Sequence, residues 1–262
     1  MKEPTTASGP PMIDAIGAGS AERLGTKAAS RAPRPAKPPP EESCDDLRVL
    51  VDRSHALPPD YYPEDLVSLR AYGLLRLGGG EMLLRREAAE HLSLLVEDAV
   101  ADGEELVVAS AYRSYAHQRT SHARLASIYG TGAEAMSATP GHSQHQLGTA
   151  VDFTNAEASY EVWRRFGRTS ASSWLLENAP QHGFVLAYPS GREAETGYHW
   201  EPWHYRYVGL RNARRLEESG LSLQEFLARE RAAALLKRGL PGRSVLAGPW
   251  QGGTVSCEGR ER

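Results

Sequence analysis

In REAAEHLSLLVEDAVA, Arg86 to Ala101, apolar residues recur at Ala88, Leu92, Leu95 and Ala99. That spacing keeps them on one face, so the stretch predicts an amphipathic helix, ended near Gly103. ELVVASAYRS then reads as a strand running into a loop, which places Arg113 just past a strand end, where side chains often face a cleft. AHQRTSHARLASIYG has helical character up to Gly130, and the small-residue run TGAEAMSATPGHSQHQLG has no periodicity and predicts a loop. TAVDF predicts a short strand with Asp152 in its interior. Two helical stretches follow, near Tyr160 to Phe166 and Ser173 to His182, then GFVLAYP as a strand and WHYRYVG as a last strand with alternating aromatics. Upstream, LRVLVD reads as a short buried strand and SHALPPDYYPEDLVSL as a Pro-rich connection. GLRNARRLEESG and SLQEFLARERAAALLKRG are helix-like, and their pattern does not choose between packing on the domain and mediating association. There is no internal repeat. Short strands interspersed with helices predict an α+β domain with a small, mainly antiparallel sheet flanked by helices.

Composition narrows this to one soluble-type domain with tails. Of 262 residues, 40% are hydrophobic and 24% charged, enough to bury a real core. The net charge of −3 argues against nucleic-acid binding as the main business, since such proteins usually carry a basic excess. No run of about 18 apolar residues predicts a transmembrane helix, and the N-terminus lacks the apolar core of a secretory signal. Residues 1–42 are rich in Ala, Pro, Gly, Ser, Lys and Arg, ending in RAPRPAKPPPEES, and predict a disordered tail or spacer. Residues 43–221 then form the expected folded domain, and 222–262 a C-terminal helix and flexible tail. Cys44 and Cys257 flank the folded region. They are either two unpaired thiols or a bridge tying the ends together, the latter implying an oxidising compartment.

The chemistry concentrates in GHSQHQLGTAVDF and EPWH. His145 and Asp152 lie seven residues apart, with Gly148 and Ala150 minimising bulk where the chain turns around a small site. Alone that spacing is weak evidence. In EPWH, however, Pro202 interrupts regular structure, so Glu201 and His204 flank a turn that brings both to one site. Two histidines and one carboxylate leave a fourth position open for water, as in catalytic zinc sites. Zinc lowers the pKa of that water to about 7. Glu201 is the expected general base, and Arg113 the expected stabiliser of the carbonyl oxygen as it becomes anionic. His142 and His199 are the nearest competing ligands. The other histidines, His55, His91, His117, His122 and His182, show no partner pattern.

SAYRSYAHQ, PGHSQHQLGTAVDF, WLLENAPQHGFVLAYPSGREAETGYHWEPWHYRYVG and the upstream LPPDYYPEDLV together resemble the VanY-type zinc D-alanyl-D-alanine carboxypeptidases, over roughly Asp45 to Leu221. The resemblance implies a small α+β fold of the Hedgehog/DD-peptidase type. It implies removal of the terminal D-alanine from peptidoglycan stem peptides, with Zn2+ held by His145, Asp152 and His204, Glu201 as base, and Arg113 on the scissile carbonyl. Ser143, Gln118 and Trp203 match positions near the substrate. Gln144 stands where many relatives carry glutamate, at a position the ligand pattern leaves free. The expected state is a monomer acting outside the cytoplasm, where peptidoglycan lies, although no export signal is visible. Within the same class stand a D,D-dipeptidase, an L,D-carboxypeptidase or an endopeptidase. From another class stands a non-catalytic, zinc-stabilised wall-binding module, for which a base such as Glu201 would have no use.

Overall fold

The computed structural model describes residues 46–74, 76–78, 80–237 and 253–254. In chain order these form β1 (His55–Ala56), β2 (Leu66–Ser68), β3 (Leu83–Arg85), α1 (Arg86–Ala101), β4 (Val107–Ser110), α2 (Tyr115–Tyr129), β5 (Ala150–Thr154), α3 (Ser170–Asn178), β6 (Phe184–Leu186), α4 (Glu193–Thr196), β7 (His204–Tyr207), α5 (Leu210–Ser219), α6 (Leu223–Lys237) and β8 (Gly253–Thr254). Cys44, Cys257 and the tail predicted over 1–42 lie outside the described residues. No helix among the described residues is long and apolar enough to cross a membrane.

The central sheet has the order β4-β5-β7-β6 and is antiparallel at every pairing. It is the small antiparallel sheet that the sequence pattern predicts. Successive side chains on a strand point to opposite faces. Val151, Phe153, Tyr205 and Tyr207 accordingly project from one face into the main core, where they meet Leu92 and Leu95 of α1 and Leu175 of α3. Each such large apolar side chain contributes roughly 1.5–3 kcal/mol on burial. Helix α1 has the predicted bounds, with Ala88, Leu92, Leu95 and Ala99 all fully buried.

A second apolar cluster joins Val185, Tyr188, Tyr198 and Val208 to Leu223, Phe226 and Leu227. Helix α6 is therefore packed on the domain, the alternative its sequence pattern left open.

Two predicted elements do not form. Residues 47–52 are not a strand: Val49, Leu50 and Val51 are buried, but the fully buried guanidinium of Arg206 takes two of the segment's carbonyls, donating to Leu47 O (3.0 Å) and Val49 O (2.7 Å). Residues 160–166 are not a helix. Asn155 Oδ1 accepts from Ala158 N, Thr154 Oγ1 donates to Glu161 O, and Ser159 and Tyr160 take left-handed φ of 58° and 57°, so the segment turns tightly instead. A hairpin of β2 and β3 forms where no strand was predicted.

Candidate active site

Three pieces of chain converge over the face of the sheet away from the main core. The first is the exit of β4, where the pairing with β5 is irregular between Val108 and Ser110, leaving Ser110 opposite Asp152. Such an irregularity re-aims the strand end. The second is a 3-10 turn, Gln144–Leu147, closed by Gly148 in the left-handed region at φ +68°. A Cβ at Gly148 would lie 2.9 Å from the mobile tip of Leu66, so it is the left-handed backbone above all that calls for glycine. The third is the EPWH turn, in which the His204 N–H donates to the Glu201 carbonyl at 3.1 Å, and β7 starts at His204.

Asp152 and His204 are directly opposite each other across β5 and β7. His204 Nδ1 lies 2.9 Å from Asp152 Oδ1, and His145 Nε2 lies 3.2 Å from Asp152 Oδ2. All three residues are buried, and their ligating atoms fall within 4.8 Å of one another. The far nitrogens of both rings are engaged: His145 Nδ1 with the Ala111 carbonyl at 2.7 Å, and His204 Nε2 with Gln144 Oε1 at 3.2 Å. Each of those oxygens demands an N–H. A neutral imidazole has only one, and with it spent on those oxygens the facing nitrogens are free to present lone pairs. Two lone pairs and a carboxylate pointing at one space are a set that a cation fits, and the nitrogen and oxygen donors suit zinc.

Burial, reinforced by Arg113 and opposed by Asp152, holds the His145 imidazole below its ordinary pKa and hence neutral. Burial would raise the Asp152 carboxyl, but its two histidine partners outweigh this and hold it well below the usual carboxylate range. Glu201 Oε2 is 3.9 Å from His204 Nδ1. Burial, with the negative charge of Asp152, pushes the Glu201 carboxyl well above its ordinary range, and Arg113 offsets part of this. The Arg113 guanidinium lies 3.8 Å from Asp152 Oδ2 and is held from behind, Nη1 donating to Gln118 Oε1 and Nη2 to Ser110 Oγ, both at 2.9 Å.

The pattern of the VanY family, D-alanyl-D-alanine carboxypeptidase, matches residues 81–210. A putative carboxypeptidase, YodJ, of Bacillus subtilis is 34% identical over 70% of this chain and 67% of its own length. This chain belongs to the VanY family. The solved LdcB LD-carboxypeptidase is 33% identical, with a TM-score of 0.66 over 74% of this chain and 92% of that one. A VanY D,D-pentapeptidase from a VanB-type resistance cassette, solved with Zn(II), is 32% identical, with a TM-score of 0.57 over 69% and 98%. Membership makes this protein a metallopeptidase, on the mixed helix and antiparallel-sheet fold that the resemblance implied.

Within this VanY-family site the expected residues occupy different places. His145, Asp152, His204, Glu201 and Arg113 surround one space. Ser143 is 4% exposed at the start of the 3-10 turn, and its hydroxyl makes no cap bond there. Gln118 is buried behind Arg113, its Nε2 donating to Ala138 O at 2.6 Å and Ser137 Oγ at 3.2 Å. Trp203 lies in the main core, its indole stacked on Trp163 at 6.0 Å. His142 is turned away to Asp52 O at 2.7 Å, and His199 is exposed. Sequence reading missed Ser110, Ala111 and Gln144, the groups that hold Arg113, His145 and His204 in place. For Gln144 alone there was a signal, its place beside His145. Also unpredicted is Tyr188, whose ring packs 5.0 Å from that of His204.

Proposed function

We propose that this protein is a zinc-dependent D-alanyl-D-alanine carboxypeptidase that removes the terminal D-alanine from peptidoglycan stem peptides. The observation that carries the reading is the convergence of two imidazole nitrogens, of His145 and His204, and the Asp152 carboxylate beside Glu201 and Arg113. His145 Nε2, Asp152 and His204 Nδ1 would hold the ion. Zinc bound there supplies a Lewis acid that lowers the pKa of water and polarises a carbonyl. Glu201, as the carboxylate, takes the proton from the attacking water and returns it to the leaving amine; its burial beside Asp152 makes that carboxylate a stronger base. The Arg113 guanidinium, fixed by Gln118 and Ser110, keeps N–H groups for the carbonyl oxygen as it becomes anionic. Ser143, at the start of the turn that carries His145, is the proposed contact to the peptide. The catalytic unit is residues 43–221, acting as a monomer outside the cytoplasm, where its substrate lies. No acyl-enzyme forms on this route, so β-lactams leave the protein unlabelled.

The resemblance to LdcB, with the higher TM-score of the two solved structures, supports a second reading, an L,D-carboxypeptidase. Both readings release a single D-alanine, from different peptides. The test is to incubate the zinc-loaded protein with a stem pentapeptide ending in D-Ala-D-Ala and, separately, with the tetrapeptide lacking the last residue, and to follow the products by mass spectrometry. Loss of one alanine from the pentapeptide alone supports the D,D reading; loss from the tetrapeptide alone replaces it with the second. A released dipeptide would identify a dipeptidase, and no cleavage of either peptide would remove the carboxypeptidase reading.

A further inference from the structure

We propose that Gln144 is a positioning residue of the metal site: its side-chain oxygen takes the Nε2–H of His204 and so turns the Nδ1 lone pair of that ring toward Asp152 and His145. The proposal rests on the zinc reading above and adds a residue to it. Gln144 is 1% exposed and opens the 3-10 turn, immediately before His145. One turn thus delivers a ligand and also the group that orients a different ligand, arriving from β7. His145 is held by a backbone carbonyl, that of Ala111, which accepts and does nothing else. His204 is held by an amide, which offers either an oxygen or an NH2.

The two ends of that amide have opposite consequences. With the NH2 toward the ring, Nε2 is the lone pair, Nδ1 carries the hydrogen, and that hydrogen lies on the 2.9 Å contact to Asp152 Oδ1. The pair is then satisfied without an ion. With the oxygen toward the ring, at 3.2 Å, Nε2 carries the hydrogen and Nδ1 is left to donate to a cation. Gln144 Nε2 has no hydrogen-bond partner among the described residues, so no other protein contact fixes which end faces His204. The side chain needed at 144 is therefore one with an acceptor, and shape alone does not suffice. Outer partners of ligating histidines of this kind change metal affinity by roughly 10–100-fold when removed.

The experiment compares wild type, Gln144→Met and Gln144→Glu by zinc affinity in competition with a chromophoric chelator, with the thermal midpoint of each metal-free protein recorded. Gln144→Met, which keeps the bulk and removes the acceptor, is expected to bind zinc roughly 10–100-fold more weakly. Gln144→Glu, which keeps the acceptor, is expected to hold affinity at or above wild type. Equal affinity of wild type and Gln144→Met overturns the proposal, as does equal weakening in both variants. Nitrogen-15 spectra of the histidine rings in zinc-loaded wild type test the same point without a variant: a protonated Nε2 on His204 is expected, and a protonated Nδ1 overturns it. Wild type that takes up no zinc would sink the zinc reading itself, whereas uptake unaffected by Gln144→Met sinks only the role of Gln144.

Discussion

The two faces of β5 and β7 are made from alternate residues of the same strands and have opposite chemistry. One face carries Val151, Phe153, Tyr205 and Tyr207 into the main core. The other carries Ala150, Asp152, His204 and Arg206, paired Ala150 to Arg206 and Asp152 to His204. Both faces are buried, all five residues of β5 included. What separates them is how burial is made tolerable. The core face removes apolar surface from water, whereas each charged or polar group on the other face needs a partner supplied from elsewhere. For Arg206 these are carbonyls of residues 47 and 49, and for the ring of His204 it is Gln144. A strand pair can thus be rigid because of one face and reactive because of the other.

The largest effect that would test this division is metal removal. Stripping zinc with a chelator is expected to abolish turnover while circular dichroism remains native, and zinc is expected to restore it; loss of the native spectrum would mean that the site face also holds the fold. Next comes Glu201→Gln, expected to lower kcat by roughly 10²–10⁴-fold with zinc content unchanged by elemental analysis. On the core face, Phe153→Ala is expected to cost about 3–5 kcal/mol in denaturant unfolding, while kcat measured well below the new thermal midpoint stays near wild type. A large fall in kcat at full folding would show that the two faces are not separable. The smallest effect is Tyr207→Phe, which removes the 2.7 Å bond to Glu87 Oε1 and is expected to cost about 1 kcal/mol with no change in zinc affinity.

The sequence was legible where function depends on local spacing. Helix α1 follows from four apolar positions, and the EPWH turn from a proline between a carboxylate and a histidine. It was silent where a residue distant in sequence decides. Nothing in LRVLVD announces that Arg206 takes its carbonyls, and the helix-forming residues of 160–166 gave no hint that Asn155 and Thr154 cap a turn across them. Trp203 is instructive in another way: it adjoins a ligand in sequence and for that reason faces the other side, into the core. The groups that orient the ligands, a carbonyl at Ala111 and an amide at Gln144, carry no type-specific signature, so a motif built on ligands passes over them.

The direct pairing of Asp152 with His204 has one more consequence. Sliding β7 by a single residue would turn His204 to the core face and bring an aromatic neighbour into its place. A cation gripped from both strands therefore binds only chains whose register is correct. At 100 times its dissociation constant such an ion adds about 2.7 kcal/mol to that arrangement and nothing to a slipped one. A metal held there would act as a proofreader of strand alignment: a chain that pairs wrongly would form no site and gain no protection from the ion.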